Sequence, residues 1–320
     1  MTFGKQDLAG YLSRLMLRAE VGAITLLVEG ATDKRAMFRA LRKLETDGRI
    51  ASDSVYVDSA HLIDVSEACV GNRERVEVVH AAARAAGYAV FALTDREFRD
   101  FATSPVIKDE RPSHRQVGSV FWTRGHSIEN YFFEPSYAAS HLLYRHSDAV
   151  SPAMLQAIDR YWKQLLCNAA ALSIAARDNC FLKKLRGALT TEAWILVSPG
   201  FIGLSADALE KAITLRGEAC VAAGAFASSF RDALAAMEAC PDAECARWIA
   251  HGHLADEVLW LAIGRILQHE GAPPEVVHDV AVGHKEDKAF NRADRWGEAH
   301  AMPIAVPTPV ALWQAVGARV

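Results

Sequence analysis

The stretch ITLLVEGATDKRAMF, residues Ile24–Phe38, decides how the first part of the chain is read. Its opening ITLLV is a run of apolar and β-branched residues with the length of one buried strand. Its end runs into Met37, Leu41 and Leu44, which recur at helical spacing and predict a helix over about residues 33–45. Between the two stand Glu29, Gly30 and Asp33. A glutamate that closes an apolar strand gains nothing from packing, so its position asks for a chemical reason. Asp33 also has a plain structural reading, because an acid in a first helical turn complements the helix dipole.

Outward from this stretch, SVYVDS (54–59), YAVFALTD (88–95) and SVFWT (119–123) read as further strands, and RERVEVVHAAARAAG (73–87) as a helix closed by a glycine. YAVFALT is almost continuously apolar, the pattern of a parallel strand covered on both faces. Strand–helix alternation over roughly the first 135 residues predicts an α/β fold with a mainly parallel sheet flanked by helices. In such sheets ligands collect at the carboxyl ends of the strands. Glu29 and Asp95 fall there, and Glu97 follows two residues later. Carboxylates gathered in one place raise one another's pKa, and a hard divalent cation relieves the repulsion. Oxygen-only donors point to Mg²⁺ or Mn²⁺ rather than zinc. The candidate metal ligands are therefore Glu29, Asp33, Asp95 and Glu97, and the candidate catalytic carboxylates are Glu29, Asp95 and Glu97. Glu129 and His126, in GHSIENYFF, are added as catalytic candidates; their structural reading is that Glu129 begins or braces a helix while Tyr131 and Phe132 pack in the core.

The rest of the chain has a different character. Leu8, Tyr11, Leu12, Leu15 and Met16 mark an amphipathic helix within residues 1–20, the α/β domain is expected over 21–135, and a helical, Ala- and Leu-rich domain over 136–300. LLYRHSDAVSPAM (142–154) holds a linker or a loop between helices, and Pro303, Pro307 and Pro309 make 301–320 an extended tail. A net charge of −4 argues against broad, non-specific coating of nucleic acid, though not against a local basic groove. The six cysteines lack the spacing of a disulfide framework, the first residues lack the apolar core of a signal peptide, and no apolar run is long enough for a membrane span. A cytoplasmic protein with no membrane association is expected.

Taken together, VEGATD (28–33), LTDREF (93–98) and HSIENYF (126–132) resemble the TOPRIM fold shared by topoisomerases, bacterial primases and the overcoming-lysogenization-defect nucleases. More narrowly, they resemble TOPRIM-like proteins of phage-defence operons, one branch of which is the nuclease effector of the PARIS system. The resemblance covers residues 20–135, and in the helical remainder only the GHL of RWIAHGHLADEVL (247–259) is reminiscent of it. It implies a metal-dependent nuclease acting on RNA, tRNA included, or on DNA, and a separate ABC-type ATPase as partner. It implies general acid–base or metal-binding work for Glu29, and places Asp95 as the first acid of an Asp-x-Asp pair. Glu97 departs from that pattern, since its longer arm moves the two oxygens by about a bond length. The helical half is the expected place for docking, and for self-association as a homodimer. The competing reading is a TOPRIM-like scaffold that binds nucleic acid or a partner ATPase without cutting. A primase-like transferase is a weaker rival, because the zinc and basic accessory regions of primases are missing.

Other patterns carry less. Cys240, Cys245, His251 and His253 invite a zinc reading, but their spacing is poor for a zinc finger and the segment reads as helix. Lys183, Lys184 and Arg186 form one short basic run, and Lys285, Lys288, Arg292 and Arg295 another. Lys183, Lys184, Lys285 and Lys288 are the candidate nucleic-acid contacts, although the interspersed acids fit a solvated helix face better. No G-x-x-x-x-G-K-[ST] loop and no Gly-x-Ser-x-Gly elbow is present.

Overall fold

The structure is a computed structural model that describes residues 6–65, 71–197 and 200–282, with Arg292 and Arg295. Its strands are β1 (Gln6–Asp7), β2 (Ile24–Val28), β3 (Val55–Ser59), β4 (Ile63–Asp64), β5 (Val90–Thr94), β6 (Phe101–Ala102), β7 (Lys108–Asp109), β8 (Arg115–Val117), β9 (Val120–Trp122), β10 (Trp194–Val197) and β11 (Phe201–Leu204). Its helices are α1 (Leu8–Glu20), α2 (Ala31–Thr46), α3 (Asn72–Ala85), α4 (Pro135–His146), α5 (Pro152–Asp178), α6 (Leu182–Leu185), α7 (Ala206–Leu215), α8 (Cys220–Glu238), α9 (Cys245–Ile249), α10 (Gly252–His269) and α11 (Pro274–Ala281).

The chain divides into two compact units. The first takes the residues through Arg96 and returns for Pro112–Ile128; the second takes Glu97–Arg111 and continues from Glu129. These limits differ from the expected 21–135 and 136–300. The N-terminal helix is no separate segment, because Tyr11 and Leu15 of α1 are buried in the core of the first unit. The expected tail over 301–320 lies outside the described residues.

In the first unit, a five-stranded sheet has the order β3-β2-β5-β9-β8. The first four strands run parallel and β8 closes the edge antiparallel to β9. The α/β expectation is met: a mainly parallel sheet flanked by helices. β2 lies inside the sheet, and its Leu26, Leu27 and Val28 are fully buried, which explains why ITLLV is continuously apolar. Leu27 shares one core with Tyr11 and Leu15 of α1, Val76, Val79 and Ala83 of α3, and Val90 and Ala92 of β5. The apolar stripe Ala36, Met37, Ala40, Leu41 and Leu44 of α2 is buried too, and α2 packs on β3. Polar ties reinforce the layer. Arg18 of α1 pairs with the buried Asp58 of β3, donates to Thr25 Oγ1 of β2 at 3.0 Å, and lies over the Tyr56 ring.

The second unit carries helices α4 to α11 and an antiparallel β10–β11 hairpin. α5 starts on a Ser151 cap with Pro152 in its first turn, and everything from Leu165 to Ala176 is buried. A helix that is apolar on all sides must be enclosed; α8, α9, α10 and β11 pack around α5. α10 is enclosed as well, from Leu254 to Gly264, although it carries Asp256 and Glu257. The connection between α4 and α5 falls inside 142–154, where the sequence places a loop. No described helix is long and apolar enough to cross a membrane.

Candidate active site at the strand ends

The parallel register brings the carboxyl ends of three strands level in the first unit. Val28 of β2 is paired with Ser59 of β3 and with Leu93 of β5. Glu29 therefore leaves the sheet between the two neighbouring strands, and both hold it. Its side-chain Oε1 accepts the Asp95 N–H at 2.9 Å. Its main-chain carbonyl accepts the His61 N–H at 3.3 Å and the Ser59 hydroxyl at 3.4 Å. Asp95 is half-buried, and the next residue, Arg96, is anchored by its N–H on Thr123 Oγ1 and by its guanidinium on the Arg124 carbonyl. Two acids 66 positions apart are thus brought together by a side chain on a main-chain amide.

Asp33 sits in the first turn of α2, which begins two residues before the expected start. Its Oδ2 accepts the Gly30 N–H at 2.8 Å, completing the helix N-terminus. The capping role read from sequence is on view, and the helix starts early because this cap draws Ala31 and Thr32 into the first turn.

Glu97 belongs to the second unit. It is exposed, 3.9 Å from the Arg99 guanidinium, and its φ of +56° is a left-handed conformation unusual for a residue with a Cβ. His126 is buried in the first unit.

Glu129 also belongs to the second unit, where it is 5 % exposed within the 3₁₀ turn Ile128–Phe132. Its Oε1 lies 3.2 Å from Nδ1 of His253, a half-exposed imidazole in the first turn of α10. The charge of Glu129, then its hydrogen bond, push His253 up to about 9, against the opposing effect of burial. His251 goes the other way, down to about 4, through burial first and the charge of His253 second. The turn is locked from the helical side. Asn130, fully buried, donates to the carbonyls of Arg247 and Ala250, while Arg247 donates to the carbonyls of Asn130 and Tyr131 and pairs with Glu134 at 2.8 Å. Tyr131 and Phe132 are buried, Tyr131 edge-on to Trp248. ENYF (129–132) is therefore both a bearer of Glu129 and the docking strip for α9. Sequence reasoning missed His253 as the partner of Glu129; the GHL fragment was its one signal, and nothing local links the two positions.

Of the basic candidates, Lys183 is exposed, and Lys184 pairs with Glu218 beside the Phe181 ring. Lys285 and Lys288 lie outside the described residues. The zinc reading finds no support: Cys245 is buried in α9, its thiol pushed up by burial, and Nδ1 of His251 is turned to the Leu254 N–H as the cap of α10.

Among the described residues, no group of three or more His, Cys, Asp or Glu side chains is arranged to hold a metal. The donors present at the strand ends nevertheless suit Mg²⁺. That ion commonly takes one or two carboxylates and completes its shell with water and substrate phosphate. Glu29 and Asp95 supply such a pair, all oxygen, at the place where a parallel sheet presents ligands.

The fold and this edge define an α/β protein with two acids, Glu29 and Asp95, at the carboxyl ends of adjacent parallel strands, joined through the Asp95 amide. In comparison with known proteins, no family model matches the chain and no curated protein matches it.

Proposed function

We propose that the protein is a metal-dependent phosphodiesterase of the TOPRIM kind, a nuclease cutting RNA or DNA. The observation that carries the reading is Glu29, whose carboxylate leaves a buried parallel strand and closes on the amide of Asp95. Glu29 and Asp95 would hold Mg²⁺ or Mn²⁺, with Asp33 and Glu97 as the further candidates. The ion, when bound, supplies electrostatic stabilisation of the phosphoryl oxygens and a water of lowered pKa. The chain's own part is positional. The Asp95 amide fixes one oxygen of Glu29, and the Ser59 and His61 contacts fix its backbone, so the carboxylate is held in place without a conformational search. The resemblance of the three motifs adds the setting: the effector of an anti-phage defence system, working with an ABC-type ATPase and forming a homodimer.

Cleavage of RNA and of DNA with Mg²⁺ or Mn²⁺, compared between wild type, Glu29→Ala and Asp95→Ala, tests the chemistry. Equal behaviour of all three proteins sinks it. Toxicity of the wild-type chain expressed with and without its genomic neighbour tests the setting. A second reading, a scaffold that binds nucleic acid or the ATPase without cutting, is favoured by the engagement of Asp33 as a helix cap and by Glu97 in place of an aspartate. It predicts binding that survives both substitutions, with no cleavage by any of the three.

A further inference from the structure

The first turn of α10 carries a second cluster of charged groups within the helical unit. His253 and Glu257 are one helical turn apart on the same face. Glu257 is 3 % exposed and accepts the Gly187 N–H with both oxygens, at 2.8 and 3.0 Å. Arg216 grips the same turn from its other side, donating to the carbonyls of Arg186 and Gly187. The Arg186–Gly187 turn is thus fastened beside His253, near enough for the charge of Arg186 to act on both His251 and His253. Both cations are exposed. The His253 ring spends Nδ1 on the buried Glu129, which leaves Nε2–H as its other donor.

We propose that Arg186 and His253 form a phosphate-binding site, with the His253 ring held by the buried Glu129 and the Arg186–Gly187 turn held by the buried Glu257. A planar guanidinium and an imidazolium N–H are charge-assisted donors suited to phosphate oxygens. The carboxylates of Glu129 and Glu257 balance the charges of His253 and Arg186, and Arg216 on the same turn and Lys183 on the same run supply the positive excess. The helix end itself is already capped by His251 on the Leu254 N–H, so the attraction comes from the side chains. The phosphate is that of a nucleic-acid backbone, an assignment resting on the nuclease reading, or of a small phosphorylated ligand. Charged and titratable groups face His253 from each element beside it: Glu129 from the 3₁₀ turn, Arg186 from its turn, and His251, Asp256 and Glu257 from α10.

The test follows the His253 ring resonances by NMR in the full chain, with chelator present so that the strand-end carboxylates hold no metal. Inorganic phosphate is one probe and a short single-stranded oligonucleotide the other. A saturable shift of His253 is expected, weakened about tenfold in Arg186→Ala and largely kept in Arg186→Lys. Lys211→Ala, an exposed cation elsewhere on the unit, is expected to leave it unchanged. Affinity falls as pH rises through about 9, where His253 loses its proton. A response to the oligonucleotide assigns the site to the nucleic-acid backbone; a response to phosphate alone assigns it to a small ligand. Neither bears on cleavage, which stands or falls with Glu29 and Asp95. No shift with either probe, equal affinity of Arg186→Ala and wild type, or equal weakening by Lys211→Ala overturns the proposal.

Discussion

The strand ends that carry Glu29 and Asp95 and the turn that carries Glu129 are acid-bearing places built by opposite means. At the strand ends, local pattern does the work: two buried strands of a parallel sheet stop level with each other, and the acids follow directly. The tie between them is one hydrogen bond onto a main-chain amide. At Glu129 nothing local positions the acid. Its turn is held by Asn130, Arg247 and Glu134, and its charge meets His253 more than a hundred residues later. The first arrangement sets a carboxylate on a main-chain amide at the end of a parallel sheet, while the second sets its carboxylate on an imidazole. That contrast is the reason to look for metal chemistry at the first and phosphate recognition beside the second.

The largest expected effect breaks or upholds the chemical half of the contrast. Glu29→Gln keeps an oxygen for the Asp95 amide but removes the charge, so folding persists while metal-dependent cleavage falls roughly a hundredfold to a thousandfold. Cleavage assays alongside thermal unfolding check it. Activity within a factor of two of wild type would place the chemistry elsewhere.

Next comes the architecture of the second place. Arg247 is buried, bonds two carbonyls of the 3₁₀ turn and pairs with Glu134. Arg247→Ala strands those groups, at a cost of about 3 kcal/mol. Urea unfolding measures it, and a loss below about 1 kcal/mol would show that the turn is held by packing alone.

Legibility in the sequence follows the same division. The parallel sheet, the strand ends and the pairing of Glu29 with Asp95 were readable because period, burial and strand polarity are local properties. Asp33 was readable as a cap for the same reason. The division of the chain at Arg96, which assigns Asp95 and Glu97 to different units, was not readable, since compactness depends on which distant segments pack. The role of His253 was hidden likewise: beside His251 and the cysteines it invited a zinc reading that their spacing did not support, and only the folded chain shows that its partner is Glu129.

A smaller effect sharpens the reading of Asp33. Asp33→Ala removes the acceptor of the Gly30 N–H and costs about 1 kcal/mol of stability. Asp33→Gln keeps an acceptor for that amide without the charge. If Asp33 serves only the helix, Asp33→Gln cleaves like wild type; if it also holds metal, its activity drops as far as that of Glu29→Gln.

The smallest effect concerns the proton on His253. Its folded pKa is raised from the ordinary 6.5 to about 9, chiefly by the charge of Glu129. The pair therefore stabilises the fold fully below about 6.5, and this contribution is lost as pH rises through about 9. Water around the half-exposed ring screens the interaction, so the change in unfolding midpoint across this window is slight. The titration itself is the sharper observable. NMR of the imidazole is expected to show a midpoint near 9, and Glu129→Gln is expected to return it toward 6.5. A midpoint that stays near 6.5 in the wild type would mean that Glu129 does not hold the imidazole, and the two acid-bearing places would no longer differ in how they spend their charge.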